Sequence, residues 1–177
     1  MLLTADGAVL LLIDLQERLM PVIHDHEAVV ARSVRLAEAA QLLDVPIRAT
    51  EQYPAGLGAT VAPLAAYPQA TLSKTTFSAA ADPGFSALLP ARAGQIIVAG
   101  VEAHVCVLQT VLGLLGSGRR VVVAADAVGS RDPADRAAAI ERARQHGAEI
   151  VTSEMVLFEW LHDARHPKFR DVQKLLT

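Results

Sequence analysis

Cysteine is almost absent from this chain: Cys106 is the single cysteine among 177 residues. One thiol cannot build an internal disulfide framework or a CxxC redox pair. Cys106 is therefore either a small buried residue of the core or a chemical reagent.

Runs of positive charge are also missing. The formal net charge is −3, charged residues make up 20% of the chain, and no cluster of Lys and Arg stands out. Because proteins that bind nucleic acids need a basic surface, this composition argues against a nucleic-acid partner.

No apolar run is long enough to cross a bilayer. The longest early run, Ala8 to Ile13, is stopped by Asp14, and no basic segment precedes it as in a signal peptide. We therefore expect a cytoplasmic protein with no membrane partner.

Aromatic residues are few, at 4%, yet 52% of the residues are apolar. That is ample for one large core, and nothing marks a second domain, so residues 1–177 are predicted to form a single domain.

Short apolar runs alternate with longer helical stretches, which indicates a parallel sheet covered on both faces. The predicted strands are Val9–Asp14, Ile47–Glu51, Ala70–Ser73, Gln95–Val101, Val121–Ala125 and Glu149–Thr152. The predicted helices are Asp25–Leu43, Pro83–Leu89, Val105–Leu115, Pro133–His146 and a last helix Glu154–Leu161, with Asp82, Asp132 and Ser153 as N-caps. This pattern predicts a three-layer α/β/α fold with a six-stranded, mostly parallel, doubly wound sheet. Such sheets bind ligands at the carboxyl ends of their strands.

Three polar residues stand where predicted strands end. Asp14 closes the first strand, Lys74 follows the third, and Cys106 lies just past the fourth at the start of a helix. Each alone has a structural explanation, as a cap, a solvated charge or a core residue. Together their chemistry interlocks, because an ammonium and a helix N-terminus would lower the thiol pKa and a carboxylate could accept its proton.

Three sequence blocks carry a family resemblance. Leu11–Gln16 (LLIDLQ), Ser73–Ser78 (SKTTFS) and Gly100–Val107 (GVEAHVCV) resemble, in order and spacing, the signature blocks of the isochorismatase-like cysteine hydrolases. The resemblance implies a catalytic triad of Asp14, Lys74 and Cys106. It also implies an oxyanion hole around Val101, Glu102 and Cys106, with a cis peptide bond joining Val101 to Glu102.

Further residues resemble the isochorismatase domain-containing group within that superfamily, through Thr50–Pro54 (TEQYP) and Gly56–Gly58 (GLG). The resemblance suggests a substrate pocket formed by Gln16, Glu51, Gln52, Tyr53, Phe77 and His104. His104 could instead cap the helix that carries Cys106. Glu102 stands where many members of the superfamily have Thr, so its role is open.

No metal or other cofactor is expected. Nicotinamidases of this superfamily bind a metal through an Asp-x-His pair after the second strand, and Glu51-Gln52-Tyr53 at that place offers no imidazole. His24 and His26 lack a third ligand at a suitable spacing.

The predicted function is cysteine-dependent hydrolysis of a small molecule, most simply at an amide-type C–N bond through a Cys106 thiolate and an acyl-enzyme. Vinyl-ether hydrolysis of the isochorismatase type is the alternative reaction. A thiol stress-response protein of glyoxalase type is a second alternative, although it gives Lys74 no role. A dinucleotide-binding fold is disfavoured, because no glycine-rich turn follows the first strand.

The C-terminal segment around Met155–Leu161 is apolar on more than one face, which exceeds what a terminal helix with one buried side needs. A homo-oligomer is therefore predicted. The other interpretation is that this helix simply packs on its own sheet.

Overall fold

The computed structural model describes residues 1–176 and contains one all-parallel, six-stranded sheet with the strand order β3-β2-β1-β4-β5-β6. The strands are β1 (Ala8–Ile13), β2 (Ile47–Gln52), β3 (Ala70–Lys74), β4 (Gln95–Val101), β5 (Arg120–Gly129) and β6 (Glu149–Val151). The helices are α1 (His26–Leu42), α2 (Pro54–Leu57), α3 (Phe85–Leu88), α4 (Leu108–Gly116), α5 (Pro133–Gln145), α6 (Ser153–Leu161) and α7 (Phe169–Gln173). A π-helical turn, Ala103–Val107, precedes α4. The predicted fold class is confirmed.

The strand order reverses between β1 and β4, which are neighbours at the centre of the sheet. From β1 the chain winds outward to β3 and then returns to β4 on the other side of β1. Loops that leave the carboxyl ends of β1 and β4 therefore diverge, and a crevice opens between them. Asp14 directly follows β1, and the turn that carries Cys106 follows β4.

Both faces of the sheet are covered. All six residues of β1 are buried. Leu10 and Leu12 belong to the apolar cluster that contains α1 and α6, whereas Leu11 and Ile13 belong to the cluster that contains α4 and α5. This explains why β1 is an unbroken apolar run instead of an alternating one.

Gly100 allows β4 to approach β1 closely. Its φ is +136°, and a Cβ atom at this position would lie 2.1 Å from the carbonyl oxygen of Ile13. Only glycine fits such a contact. One residue further on, the peptide bond between Val101 and Glu102 is cis, as the family resemblance implied.

Two of the predicted helix starts are wrong. Asp82 is not an N-cap: α3 begins at Phe85, and the Asp82 carboxylate instead accepts a hydrogen bond from the Gly84 N–H. The N-cap of α6 is Thr152, because Ser153 is the first helical residue and donates its hydroxyl to Asp126. The predicted cap Asp132 is confirmed, since its side chain accepts from the Ala134 N–H.

The predicted last helix is followed by another, α7, which the sequence analysis missed. Within residues 1–176, no helix is long and apolar enough to span a membrane.

The excess of apolar residues on α6 is partly absorbed within the chain. Val156, Leu157 and Trp160 are buried in the core. Met155 and Phe158 remain 45% and 43% exposed. Thus one face of α6 packs as an ordinary covering helix, and a smaller apolar surface stays open.

Candidate active site

Asp14 is held at the carboxyl end of β1 by two hydrogen bonds that together fix its carboxylate. Its Oδ1 accepts from the Thr50 hydroxyl at 2.6 Å, and its Oδ2 accepts from Lys74 Nζ at 2.8 Å. Asp14 has a φ of 53°, a left-handed conformation that Asp tolerates better than most residues. The side chain is completely buried.

Lys74 is the last residue of β3 and reaches across β2 to Asp14. Its buried ammonium also donates to Gln52 Oε1 at 2.7 Å and lies 3.2 Å and 3.3 Å from the carbonyl oxygens of Thr76 and Phe77. The ammonium is therefore surrounded by oxygen acceptors. A charge with no access to water needs such partners, because burial without them is very costly.

Cys106 lies in the π-helical turn between β4 and α4 and is almost fully buried. Burial of the thiol and the negative charge of Asp14 raise the pKa of Cys106 to about 12, and the ammonium of Lys74 offsets this only in part. The net shift of the thiol pKa is therefore upward, against the expectation of a lowered value: Lys74 lowers it as expected, but burial and Asp14 raise it by more. At neutral pH Cys106 is therefore a thiol.

Glu102 follows the cis peptide bond and is also nearly buried. Its carboxylate accepts from Arg131 Nε at 2.5 Å and lies 3.5 Å from His104 Nε2. The other ring nitrogen of His104 is 3.0 Å from the Ser130 hydroxyl. His104 is therefore directed toward Glu102 and Ser130, and it does not cap the helix.

A cleft of about 500 Å³ opens above the Cys106 thiol. It is lined by Arg18, Leu19, Val22, Gln52, Leu57, Phe77, Glu102, Val105, Cys106 and Arg131. Asp14 and Lys74 are not on its wall, which agrees with their complete burial beneath it. The cleft is within the size range of sites for small organic molecules.

Of the six residues suggested as a substrate pocket, Gln52 and Phe77 line this cleft and the other four do not. Gln16 is fully buried, and its amide pairs with the backbone of Gln52 and Gly58. Glu51 accepts hydrogen bonds from the backbone and hydroxyl of Thr60. Tyr53 and His104 lie outside the cleft wall.

Arg18 and Arg131 were missed by the sequence analysis. Arg131 follows β5, so the rule that sites form at the carboxyl ends of strands could have identified it. Arg18 lies in the loop after β1, where a charged side chain looks like an ordinary solvated residue.

No cluster of three or more His, Cys, Asp or Glu side chains with the geometry of a metal site occurs in the part of the chain that the structure describes. The charged residues near Cys106 instead form ion pairs with one another, Asp14 with Lys74 and Glu102 with Arg131.

The parallel sheet and the crevice at its switch point place the chain among the doubly wound α/β folds, which bind ligands at the carboxyl ends of their strands. The family model for the isochorismatase domain matches residues 8–155. Isochorismatase domain-containing protein 2 of Danio rerio is 42% identical over 176 residues, which cover 99% of this chain and 89% of that protein. The chain therefore belongs to the isochorismatase-like hydrolase family.

Solved structures agree with this assignment. A MAR1 ribonuclease from Caenorhabditis elegans is 39% identical, with a TM-score of 0.93 and coverage of 100% of this chain and 93% of that one. The ycaC gene product of Escherichia coli, described as an octameric hydrolase of unknown specificity, is 25% identical, with a TM-score of 0.85 and coverage of 99% and 94%.

Asp14→Asn should make Cys106 more reactive toward iodoacetamide near neutral pH. The amide removes the negative charge that raises the thiol pKa, while Lys74 remains to stabilise the thiolate, so the alkylation profile should move to lower pH. The rate can be followed by mass spectrometry across a pH series. Asp163→Asn, a change at an exposed carboxylate, is the control and should behave like the native protein. An Asp14→Asn profile at the native position or higher would contradict this electrostatic account.

Proposed function

We propose that this protein is a cysteine-dependent hydrolase that cleaves an amide-type C–N bond of a small molecule through an acyl-enzyme on Cys106. The observation that carries the proposal is the position of the thiol: Cys106 faces the cleft, and the buried Asp14–Lys74 pair lies next to it. A nucleophile beside a base that a third group orients is the arrangement used in covalent catalysis.

Attack by the thiol requires its proton to leave. With a pKa of about 12, a free thiolate would amount to about one part in 10⁵ at pH 7. We therefore place proton transfer in the same step as attack: the Cys106 proton passes to Asp14 while Sγ forms a bond to the substrate carbonyl carbon. Lys74 holds the Asp14 carboxylate in place and stabilises the sulfur as negative charge develops on it.

The carbonyl oxygen becomes an oxyanion in this step. We assign its stabilisation to backbone N–H groups of the turn that contains Val101, Glu102 and Cys106. Donors fixed in a water-poor site stabilise such charge without reorganisation, and one of them typically contributes a factor of about 10² to 10³ in rate.

Collapse of this intermediate breaks the C–N bond, and Asp14 returns its proton to the leaving nitrogen. Asp14 then takes a proton from a water molecule that attacks the acyl carbon. The C–S bond breaks, a carboxylic acid is released and the sulfur regains its proton. Every step uses this chain, the substrate and water, with no cofactor.

The proposal concerns a small molecule even though three structural relatives carry the name of a ribonuclease. The cleft is about 500 Å³, half of its lining residues are apolar, and the chain as a whole has a net charge of −3. A polynucleotide would need an extended basic surface. The Asp14–Lys74 ion pair also gives Lys74 a role that the glyoxalase-type alternative lacks.

Cys106→Ala should abolish turnover of a panel of small amides, because the attacking atom is removed. Native protein quenched during turnover should gain the mass of the acyl group on the peptide that contains Cys106, and the variant should show no such adduct. Intact-protein and peptide mass spectrometry measure both results. A Cys106→Ala protein that retained native turnover would rule out covalent catalysis by this thiol, in which case vinyl-ether hydrolysis without a covalent intermediate becomes the alternative.

A homo-oligomer and a cytoplasmic location belong to the same proposal. The exposed Met155 and Phe158 on α6 offer an apolar contact, and the structural relative from Escherichia coli is described as octameric. An unpaired cysteine is typical of a reducing compartment.

Light scattering at micromolar concentration should give at least twice the chain mass of 18.8 kDa. Phe158→Ser together with Met155→Ser should shift that mass downward, because these changes remove the exposed apolar contact. A native mass near 18.8 kDa would refute the oligomer.

A further inference from the structure

The charges of the cleft do not cancel. Three charged side chains line it: Arg18, Glu102 and Arg131. Glu102 and Arg131 neutralise each other through a two-point contact, with Nε–Oε1 and Nη2–Oε2 distances of 2.5 Å and 3.4 Å. The Asp14–Lys74 pair beneath the cleft is neutral in the same way. The positive charge of Arg18 is left over.

Arg18 forms no ion pair with any carboxylate of residues 1–176. Its one side-chain hydrogen bond runs from Nη1 to the carbonyl oxygen of Gly56 at 3.0 Å. Arg18 is exposed and lines the cleft, and its other guanidinium N–H groups form no hydrogen bond within residues 1–176. An arginine with this many free donors presents the planar pattern that a carboxylate accepts at two points.

The hydrogen bond to Gly56 does not by itself explain Arg18. The loop that contains Gly56 is already fastened to the segment after β1 by the backbone bonds Glu17 N–Ala59 O and Arg18 N–Leu57 O, each 3.0 Å long. The buried Gln16 amide adds a third attachment, at Gly58. The guanidinium is therefore one more contact to a loop that is held without it.

Apart from Gln52 and Cys106, the rest of the cleft wall is apolar. Leu19, Val22, Leu57, Phe77 and Val105 form it, and Val22 and Phe77 are more than half exposed. When a ligand covers exposed apolar residues such as these, the burial of apolar surface stabilises the complex. A ligand that satisfies both features has an apolar body and an anionic group.

We propose that the cleft binds a small anionic amide, in which an apolar chain separates the scissile amide from a carboxylate, and that Arg18 is the residue that binds this carboxylate. The inference rests on the proposed amide hydrolysis and adds the substrate class to it. In a chain with a net charge of −3, a cleft with one uncompensated positive charge favours anions locally.

Three amides with the same six-carbon chain test the proposal: adipamate, hexanamide and 6-aminohexanamide. Native protein should hydrolyse adipamate with a kcat/KM at least about tenfold above that of hexanamide, through a lower KM, and 6-aminohexanamide most slowly. Arg18→Gln should bring the adipamate-to-hexanamide ratio close to one. Arg170→Gln, which removes the same charge from an exposed position on α7, should leave the native ratio intact.

Equal kcat/KM values for the three amides in native protein would overturn the assignment. So would an Arg18→Gln protein whose ratio stayed native while all three amides slowed equally, since that pattern belongs to a loop contact. If none of the three is turned over, the proposed hydrolysis fails, and calorimetric binding to the Cys106→Ala protein still decides the present inference. Tighter binding of adipamate than of hexanamide, lost on adding Arg18→Gln, supports the anion site; equal binding overturns it.

Discussion

The buried ion pair between Lys74 and Asp14 is the constraint on which the rest of the site depends. Two opposite charges without access to water persist only if each is fully hydrogen-bonded, and removing one partner of such a pair typically costs about 3–5 kcal/mol. The chain meets this requirement with residues from three neighbouring strands. Thr50 and Gln52 at the end of β2 supply a hydroxyl and an amide oxygen, while β1 and β3 supply the charges. The pair also determines the state of Cys106, because Asp14 raises its pKa and Lys74 lowers it.

Much of the fold could be predicted because its strands are buried on both faces and read as continuous apolar runs. The convergence of Asp14 and Lys74 followed from the same rule, since carboxyl ends of parallel strands share one edge. Gln16 and Glu51 were suggested as pocket residues by the family resemblance, which does not show what each side chain contacts. The irregular loop after β2 needs hydrogen-bond partners, and these two side chains supply them. Arg18 was missed because the sequence does not show which charged side chains form ion pairs. Its unpaired charge can be recognised only after the structure has assigned partners to the other charges of the cleft.

The raised pKa of Cys106 connects the structure to the proposed chemistry. A thiol that ionised freely would be open to oxidation and alkylation whenever the cleft was empty. Here burial and Asp14 keep the proton in place, and the same carboxylate is the proposed acceptor once a substrate carbonyl lies next to the sulfur. The Asp14 carboxylate, held by Thr50 and Lys74, therefore has two roles: it helps to keep the proton on the Cys106 thiol before substrate binds, and it accepts that proton during attack. In this account the ammonium of Lys74 serves mainly to hold the Asp14 carboxylate in its orientation beneath the cleft.

A double-mutant cycle on turnover tests that central claim most directly. Lys74→Met removes the cation that holds the Asp14 carboxylate in place, so Asp14 should lose its capacity as a base. Asp14→Asn removes the same capacity by a different change. We expect the Asp14→Asn/Lys74→Met protein to have about the same kcat/KM as the less active of the two single variants, because both changes remove the function of the same Asp14–Lys74 pair. Losses that multiply across the two sites would show that Asp14 and Lys74 act independently, and would contradict the account.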